Sequence, residues 1–396
     1  MKFREISFLE KKESIKVKFY GRFALDILKE EVNRIGSYKV DKGGIEFPKL
    51  DSGEAERKLL FLIQSKLHFL KTIQTGNSAT YVHANSGIPL MGNIAFGIID
   101  RGTTLLEVKP MTSCILNCIY CSLQEGQNSG KHDYLVQKDY LVEELRRVIA
   151  FKKTEGIELH INCHGEALLY GLLDELIADM KAIPNVATIS MNTNGVMLTP
   201  ALIRKLKNAG LTRFNISFNS LNKETASKMA GCPYPVDQVV ASMKFIRSIN
   251  MPLVIAPLLL PGYNEEELPL IIKFAKEIGA TLGIQNFLEY KHGKRPAKQL
   301  PWEKFELLLK KWEKEFNVKL LLGPEDFKVK KTVQFPKPFK KGEIVKGKVL
   351  CPGRYRKEKI ISARDRSISV ITKSDKVNLR AEIVRVKHNI FLAKEI

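Results

Sequence analysis

The sequence predicts an α/β protein in three parts: an N-terminal α+β domain over 1–98, a run of βα units over 99–332, and a small C-terminal β-barrel over 341–396 behind a linker at 333–340. Three observations carry this. At 396 residues the chain exceeds one typical domain. Between about 99 and 332 six short β-rich runs alternate with helical patterns, the signature of a parallel βα sheet. After the stiff segment Phe335-Pro-Lys-Pro-Phe339, short strand-like runs follow one another with few helical signals between them.

In order, two helical patterns open the chain, Phe23 to Ile35 and Glu54 to Ile73, with a turn at Asp41-Lys-Gly-Gly44 between them. A hairpin is expected from Ile94–Ile98 and Thr104–Val108. The six strands are Leu105–Lys109, Glu158–Asn162, Thr188–Asn192, Arg213–Phe218, Leu253–Leu258 and Thr281–Phe287. Helices are expected over Val142–Lys153, Leu168–Ala182, Pro200–Ala209, Val236–Ile249 and Glu265–Ile278. Gly210 and Gly279 stand at C-cap positions and Asn264 at an N-cap. A helix over Pro301–Phe316 and a strand near Lys319–Leu322 precede the linker. The terminal strands are Glu343–Leu350, Lys359–Ser362, Ser367–Ile371, Arg380–Val386 and Ile390–Lys394.

Apolar residues make up 44% of the chain, enough for a sizeable core. The N-terminus is charged and lacks an apolar signal core, and the most apolar stretch, Leu253–Leu260, is short and contains Pro257. A cytoplasmic protein with no membrane partner is expected. The formal charge is +21, and residues 337–396 hold 17 Lys or Arg against 6 Asp or Glu. A basic excess concentrated at one end favours a polyanionic partner, nucleic acid above all; a merely solvated basic surface is the plainer reading.

The most informative segment is Ser113-Cys-Ile-Leu-Asn-Cys-Ile-Tyr-Cys-Ser122. Three thiolates spaced C-x3-C-x2-C can hold three irons of a [4Fe–4S] cube and leave the fourth open for chemistry. A zinc site would need a fourth ligand, and no second cysteine pair follows. His160 and His164 have H-x3-H spacing, but in a strand four residues span roughly 13 Å, too far for one zinc. Cys163, Cys232 and Cys351 are scattered singly and read as inert buried thiols.

This cysteine run resembles the cluster motif of the radical S-adenosylmethionine (SAM) superfamily. The resemblance implies a partial (β/α)6 barrel open on one side. It also implies a [4Fe–4S] cluster on Cys114, Cys118 and Cys121 that chelates SAM, and an electron donor such as ferredoxin or flavodoxin. Cys163-His-Gly-Glu-Ala167 is similar to the superfamily's Gly-Gly-Glu-Pro motif, with Gly165 and Glu166 matching and His164 and Ala167 departing. It places Glu166 at the amino group of SAM, a charge-assisted contact; read alone, Glu166 is a first-turn helix acid. Asn194, in Asn192-Thr-Asn-Gly195, falls near the ribose and methionine of SAM, and Tyr120 near its adenine. Asn215, Ser217 and Asn219 alternate on one strand face, and the resemblance gives Ser217 and Asn219 to the cofactor. Leu260-Pro-Gly-Tyr-Asn-Glu265 resembles a recurrent superfamily loop, though a plain turn explains it equally. Gln285 and Asn286 are candidate substrate contacts.

The C-terminal segment resembles a TRAM domain, a small OB-like β-barrel attached to RNA-modifying enzymes, most closely at Lys341-Gly-Glu-Ile-Val-Lys-Gly-Lys-Val349. The expectation is therefore a radical SAM enzyme that modifies RNA, tRNA or rRNA. Its rivals are the same chemistry on a peptide or protein side chain, and a non-catalytic iron–sulfur RNA-binding protein. TRAM-bearing methylthiotransferases hold a second cluster on N-terminal cysteines; residues 1–113 contain none, which argues against that reaction.

Overall fold

The computed structural model describes residues 1–126 and 129–396. The N-terminal domain is built on an antiparallel sheet of β1 (Ile6–Glu10), β2 (Ser14–Phe19), β3 (Phe23–Leu28) and β4 (Lys71–Thr72), in that order. In β2, Ile15, Val17 and Phe19 are buried and alternate with half-buried Ser14, Lys16 and Lys18, so one face meets the core. The helix expected over 23–35 is corrected. Phe23, Leu25 and Ile27 repeat with period two and pair with β2, leaving only Lys29–Asn33 helical. The second expected helix is present as Ser52–Lys66; the Asp51 carboxylate caps it, accepting from the Glu54 N–H at 3.0 Å.

Next comes a seven-stranded sheet. Its members are β5 (Gly97–Asp100), β6 (Leu105–Lys109), β7 (Ile157–Ile161), β8 (Val186–Thr193), β9 (Arg213–Ile216), β10 (Leu253–Ile255) and β11 (Thr281–Leu282). Strands β6 to β11 are parallel and lie side by side in chain order, and β5 pairs antiparallel with β6 at one edge. The last two strands are shorter than expected. Their chains pair again at Leu258–Leu259 and Gln285–Asn286, past an interruption at Pro257, which has no N–H for the ladder.

The crossover helices are Lys138–Lys152, Leu173–Lys181, Pro200–Ala209, Val236–Ser248 and Glu267–Ile278. Gly210 and Gly279 cap two of them in the left-handed conformation. Asn264 does not cap the last helix; Glu266 stands there. The Asn264 amide instead accepts from the Leu260 N–H and donates to the carbonyls of Asn219 and Leu258. The expected strand near 319–322 is likewise not formed, because the N–H groups of Leu320 and Leu321 donate to the Glu313 carboxylate at 2.7 and 2.9 Å.

The C-terminal domain is a closed barrel of β12 (Ile344–Pro352), β13 (Glu358–Ala363), β14 (Arg366–Ile371), β15 (Asn378–Arg385) and β16 (Phe391–Glu395), ordered β12-β13-β14-β16-β15. Only β14 and β16 pair in parallel. Ile361, Ile368, Val370, Ile383 and Phe391 fill its core. The segment before it is anchored at both ends rather than a free spacer. Phe335 and Phe339 are buried, and the Phe335 N–H donates to Asp100 at 2.6 Å. The same carboxylate pairs with fully buried Lys152 at 2.9 Å. No helix among the described residues is long and apolar enough to cross a membrane.

Candidate active site

The C-terminal ends of parallel strands leave a crevice where loops converge, the usual place for a site in βα folds. Here those loops enclose a cavity of about 350 Å³. Cys114, Cys118, Cys121, Tyr120, Gly165, Glu166, Asn194, Ser217 and Asn219 all line it, as do Cys163, Gln285 and Asn286. Residues read from five separate stretches of sequence thus come together on one wall.

The cysteine loop is held by backbone contacts. Ser113 and Gly165 are paired, with Thr112–Ser113 lying parallel to His164–Gly165. A Cβ on Gly165 would stand 1.8 Å from the Ser113 carbonyl oxygen, and the residue has φ 142°, so glycine is required there. On the other side, Asn117 and Ile119 donate to the carbonyls of Ala230 and Met229 at the end of the helix Lys223–Ala230. The sequence reading missed this helix, although Asn222 at its N-cap and Gly231 at its C-cap mark it. Lys294, also missed, donates its amide to the Cys121 carbonyl and its ammonium to Asn117.

The thiols themselves are costly to ionise. Burial pushes Cys118 up to about 12 and Cys114 well above the usual thiol range. A multi-iron cation offsets that cost, and loading the site would release protons. Backbone N–H groups of Leu116 and Glu125 donate to the sulfurs of Cys114 and Cys121 at 3.5 and 3.3 Å. Cys163 is buried beside them and is pushed up to about 12 by burial, as is Cys351 in the C-terminal barrel.

Glu166 is 1% exposed. Its carboxylate accepts from the Asn194 N–H at 2.8 Å, the Leu168 N–H at 3.0 Å and the Thr193 hydroxyl at 2.7 Å. Burial raises its pKa, against the pull of these three donors. It is not in the first turn of a helix but caps the 3-10 turn Ala167–Leu169, and it lines the cavity. Tyr120 is positioned by Asn219, whose amide donates to its hydroxyl at 2.6 Å and accepts from the Leu258 N–H at 2.8 Å. Asn219 is thus committed to protein partners, whereas Ser217 is exposed to the cavity. Asn194 Nδ2 and Asn286 Oδ1 are buried with no hydrogen-bond partner among the described residues. A cavity with a spare donor and a spare acceptor fits a polar ligand such as SAM.

Below this level the sheet face is polar. Arg213 donates to Asn215, Asn215 to Asn192, Asn192 to Asn162 and Asn162 to Glu107. Arg213 also pairs with Glu158. His160 is bonded to Ser190 at 2.7 Å, and burial, with Glu107 opposing, lowers its pKa to about 4. The unfolded value is near 6.5, so above that pH neither state gains a proton. As pH falls from 6.5 to 4 only the unfolded chain takes one up, and stability drops by about 1.4 kcal/mol per pH unit. Denaturation midpoints measured across this range are expected to fall more steeply in the wild type than in His160→Gln; parallel profiles would contradict the assignment.

The model of the "Radical SAM superfamily" matches residues 108–275, from the end of β6 into the last crossover helix. Protein MJ0103 of Methanocaldococcus jannaschii is 36% identical over 346 residues, covering 79% of this chain and 80% of the relative. The chain belongs to the radical SAM superfamily. The GTP 3′,8-cyclase of Aquifex aeolicus is 26% identical over 193 residues, and the match spans 58% of the cyclase. Among solved structures, Streptococcus suis SuiB bound to its precursor peptide SuiA aligns over 80% of this chain and 70% of that one, at 13% identity and TM-score 0.45. This radical SAM protein is therefore an enzyme, with a small closed β-barrel at its C-terminal end. Membership implies a reaction that depends on a [4Fe–4S] cluster and SAM. Bound together, these supply reductive cleavage of SAM to a 5′-deoxyadenosyl radical, and the protein supplies position and exclusion of water.

Proposed function

We propose that Cys114, Cys118 and Cys121 hold three irons of the cluster, and that Glu166, Asn194 and the Gly165 backbone hold SAM, with Tyr120, braced by Asn219, beside the adenine and Ser217 within reach of a hydroxyl. The substrate is a phosphate-bearing chain, RNA in our reading, whose reacting group enters the cavity beside the C-terminal barrel.

One observation carries the substrate reading. The loop joining β12 to β13 meets the segment 290–294 beside the cysteine loop: Tyr355 stacks on His292 with ring centroids 4.2 Å apart, and Lys131 lies 5.2 Å above Tyr355. Lys291 and Arg356 are exposed next to this pair, and Tyr290 lines the cavity itself. Aromatic faces ringed by cations suit stacked bases and phosphates. In the OB-fold, also a five-stranded barrel, the loop between the first two strands is one of those that bind oligonucleotides, which supports the TRAM-like reading.

The second reading is a peptide or protein side chain, and the ion pairs of the barrel favour it. Arg354 is buried against carboxylates, and Arg364, Arg366 and Lys359 pair with Glu343, Asp365 and Asp375. Part of the basic excess is thus neutralised within the protein, as in a docking module. Truncating the barrel would not separate the readings, because Arg354 reaches the cysteine loop. Charge reversal at Lys291 and Arg356 does. For an RNA substrate the double variant should bind single-stranded RNA about tenfold more weakly, with a log–log salt slope smaller by about 1.4 for two lost contacts. Unchanged RNA affinity, with SAM cleavage stimulated by peptide extract instead, would transfer the reading to a peptide.

A further inference from the structure

Arg354 belongs to the C-terminal barrel by sequence, yet its guanidinium is 3% exposed and inserted behind the cysteine loop. It donates to Asp133 and to the His132 carbonyl, each at 2.6 Å, and pairs with Glu125. Asp133 is itself fully buried and also accepts from Thr72 at 2.7 Å, Asn77 at 3.2 Å and Thr112 at 2.7 Å. All three parts of the chain meet at this one charged node: Thr72 and Asn77 from the N-terminal domain, Thr112, Glu125 and Asp133 from the βα region, Arg354 from the barrel. The node touches the cysteine loop at both ends. Thr112 immediately precedes Ser113 and Cys114, and the Glu125 backbone N–H is the donor to the Cys121 sulfur.

Burying a guanidinium and two carboxylates is an expensive way to join domains; an apolar contact of the same volume would join them as well or better. What charges provide and apolar groups do not is fixed direction, since the arginine fork aims two N–H bonds at defined oxygens. We propose that Arg354 is a positioning residue for the iron–sulfur site. It holds the 121–125 turn so that the Glu125 amide stays on the Cys121 sulfur, which places part of the cluster's surroundings under the control of the C-terminal barrel. This rests on the reading of Cys121 as a cluster ligand.

The test uses full-length, anaerobically reconstituted protein. Iron loss to a chelator and the cluster's midpoint potential are measured for wild type, Arg354→Met, Arg354→Lys and Asp365→Asn. The last removes the exposed contact between the barrel and Arg147 and leaves the node intact. Circular dichroism establishes that each variant is folded at the assay temperature. Arg354→Met should lose iron about ten times faster or more. Its potential should move to a more negative value, because an N–H bond to a thiolate favours the reduced, more negative cluster. Arg354→Lys should recover only part of both, and Asp365→Asn should match wild type. A folded Arg354→Met with wild-type retention and potential overturns the proposal. Should that variant not fold, Glu125→Gln takes its place: faster iron loss supports the proposal, wild-type retention overturns it. A wild-type protein that takes up no cluster would sink the ligand reading itself, a separate result.

Discussion

Cys118→Ala, reconstituted anaerobically with iron and sulfide, is expected to fold normally, to lack the [4Fe–4S] absorption, and to form no 5′-deoxyadenosine above background. The Cys118 thiol is held up at about 12 by burial, so it gives up its proton only to a metal cation. With two thiolates instead of three the cube loses one of its anchors; Cys163, which lines the same cavity, lies past the end of β7 and outside the loop, and the Cys232 thiol is directed at the Ala230 carbonyl. The substitution removes one half-buried sulfur from a cavity wall, so the fold should lose little. The matching control is Cys232→Ala, which should keep cluster and activity. Equal iron content in the two variants would contradict the ligand assignment.

Gly165→Ala should be severely damaging. The added carbon would lie 1.8 Å from the Ser113 oxygen and 2.4 Å from its carbonyl carbon, both backbone atoms that no rotamer change can move aside. Something must give by more than an ångström. What gives is the pairing that joins the start of the cysteine loop to the start of the Glu166 turn. We expect either a loss above about 4 kcal/mol, the range reserved for severe backbone conflict, or a folded protein with no measurable SAM binding. Gly262→Ala calibrates this: its φ is also positive, at 80°, but no atom lies within 4 Å of the new carbon. It should cost about 1–2 kcal/mol and leave SAM binding intact. Calorimetric melting and SAM titration of both variants decide the matter; similar results for the two would mean that strain, not collision, is the penalty.

The parts of this site that were legible in the sequence share a property: each is a short-range pattern. The cysteine spacing, the Gly165-Glu166 pair and the Ser217/Asn219 pair each span only a few residues, and strand ends in a βα fold converge by topology; Asn215, read with that pair, stays on the strand in the polar network below the cavity. The five C-terminal strands were readable for the same reason, since alternation and turn residues are local. The failures are long-range or partner-dependent. Phe23–Leu28 carries an apolar set that a helix could also bury, and only pairing with Ser14–Phe19 makes it a strand. Leu320 and Leu321 have strand character, but the Glu313 carboxylate, seven and eight residues back, captures their N–H groups. Asn219 lines the cavity as read, but its brace on Tyr120, 99 residues away, had no local signal. Nothing local marks Arg354; its acidic partners lie 221 and 229 residues upstream.

The measurement that bears most directly on the central claim is 5′-deoxyadenosine formation from SAM by the reconstituted, chemically reduced wild-type protein, with iron and sulfide content determined on the same sample. The account predicts steady formation that requires reductant, fails in Cys118→Ala, and rises on adding RNA. A sample holding a full cluster that forms none, with or without RNA, would contradict it.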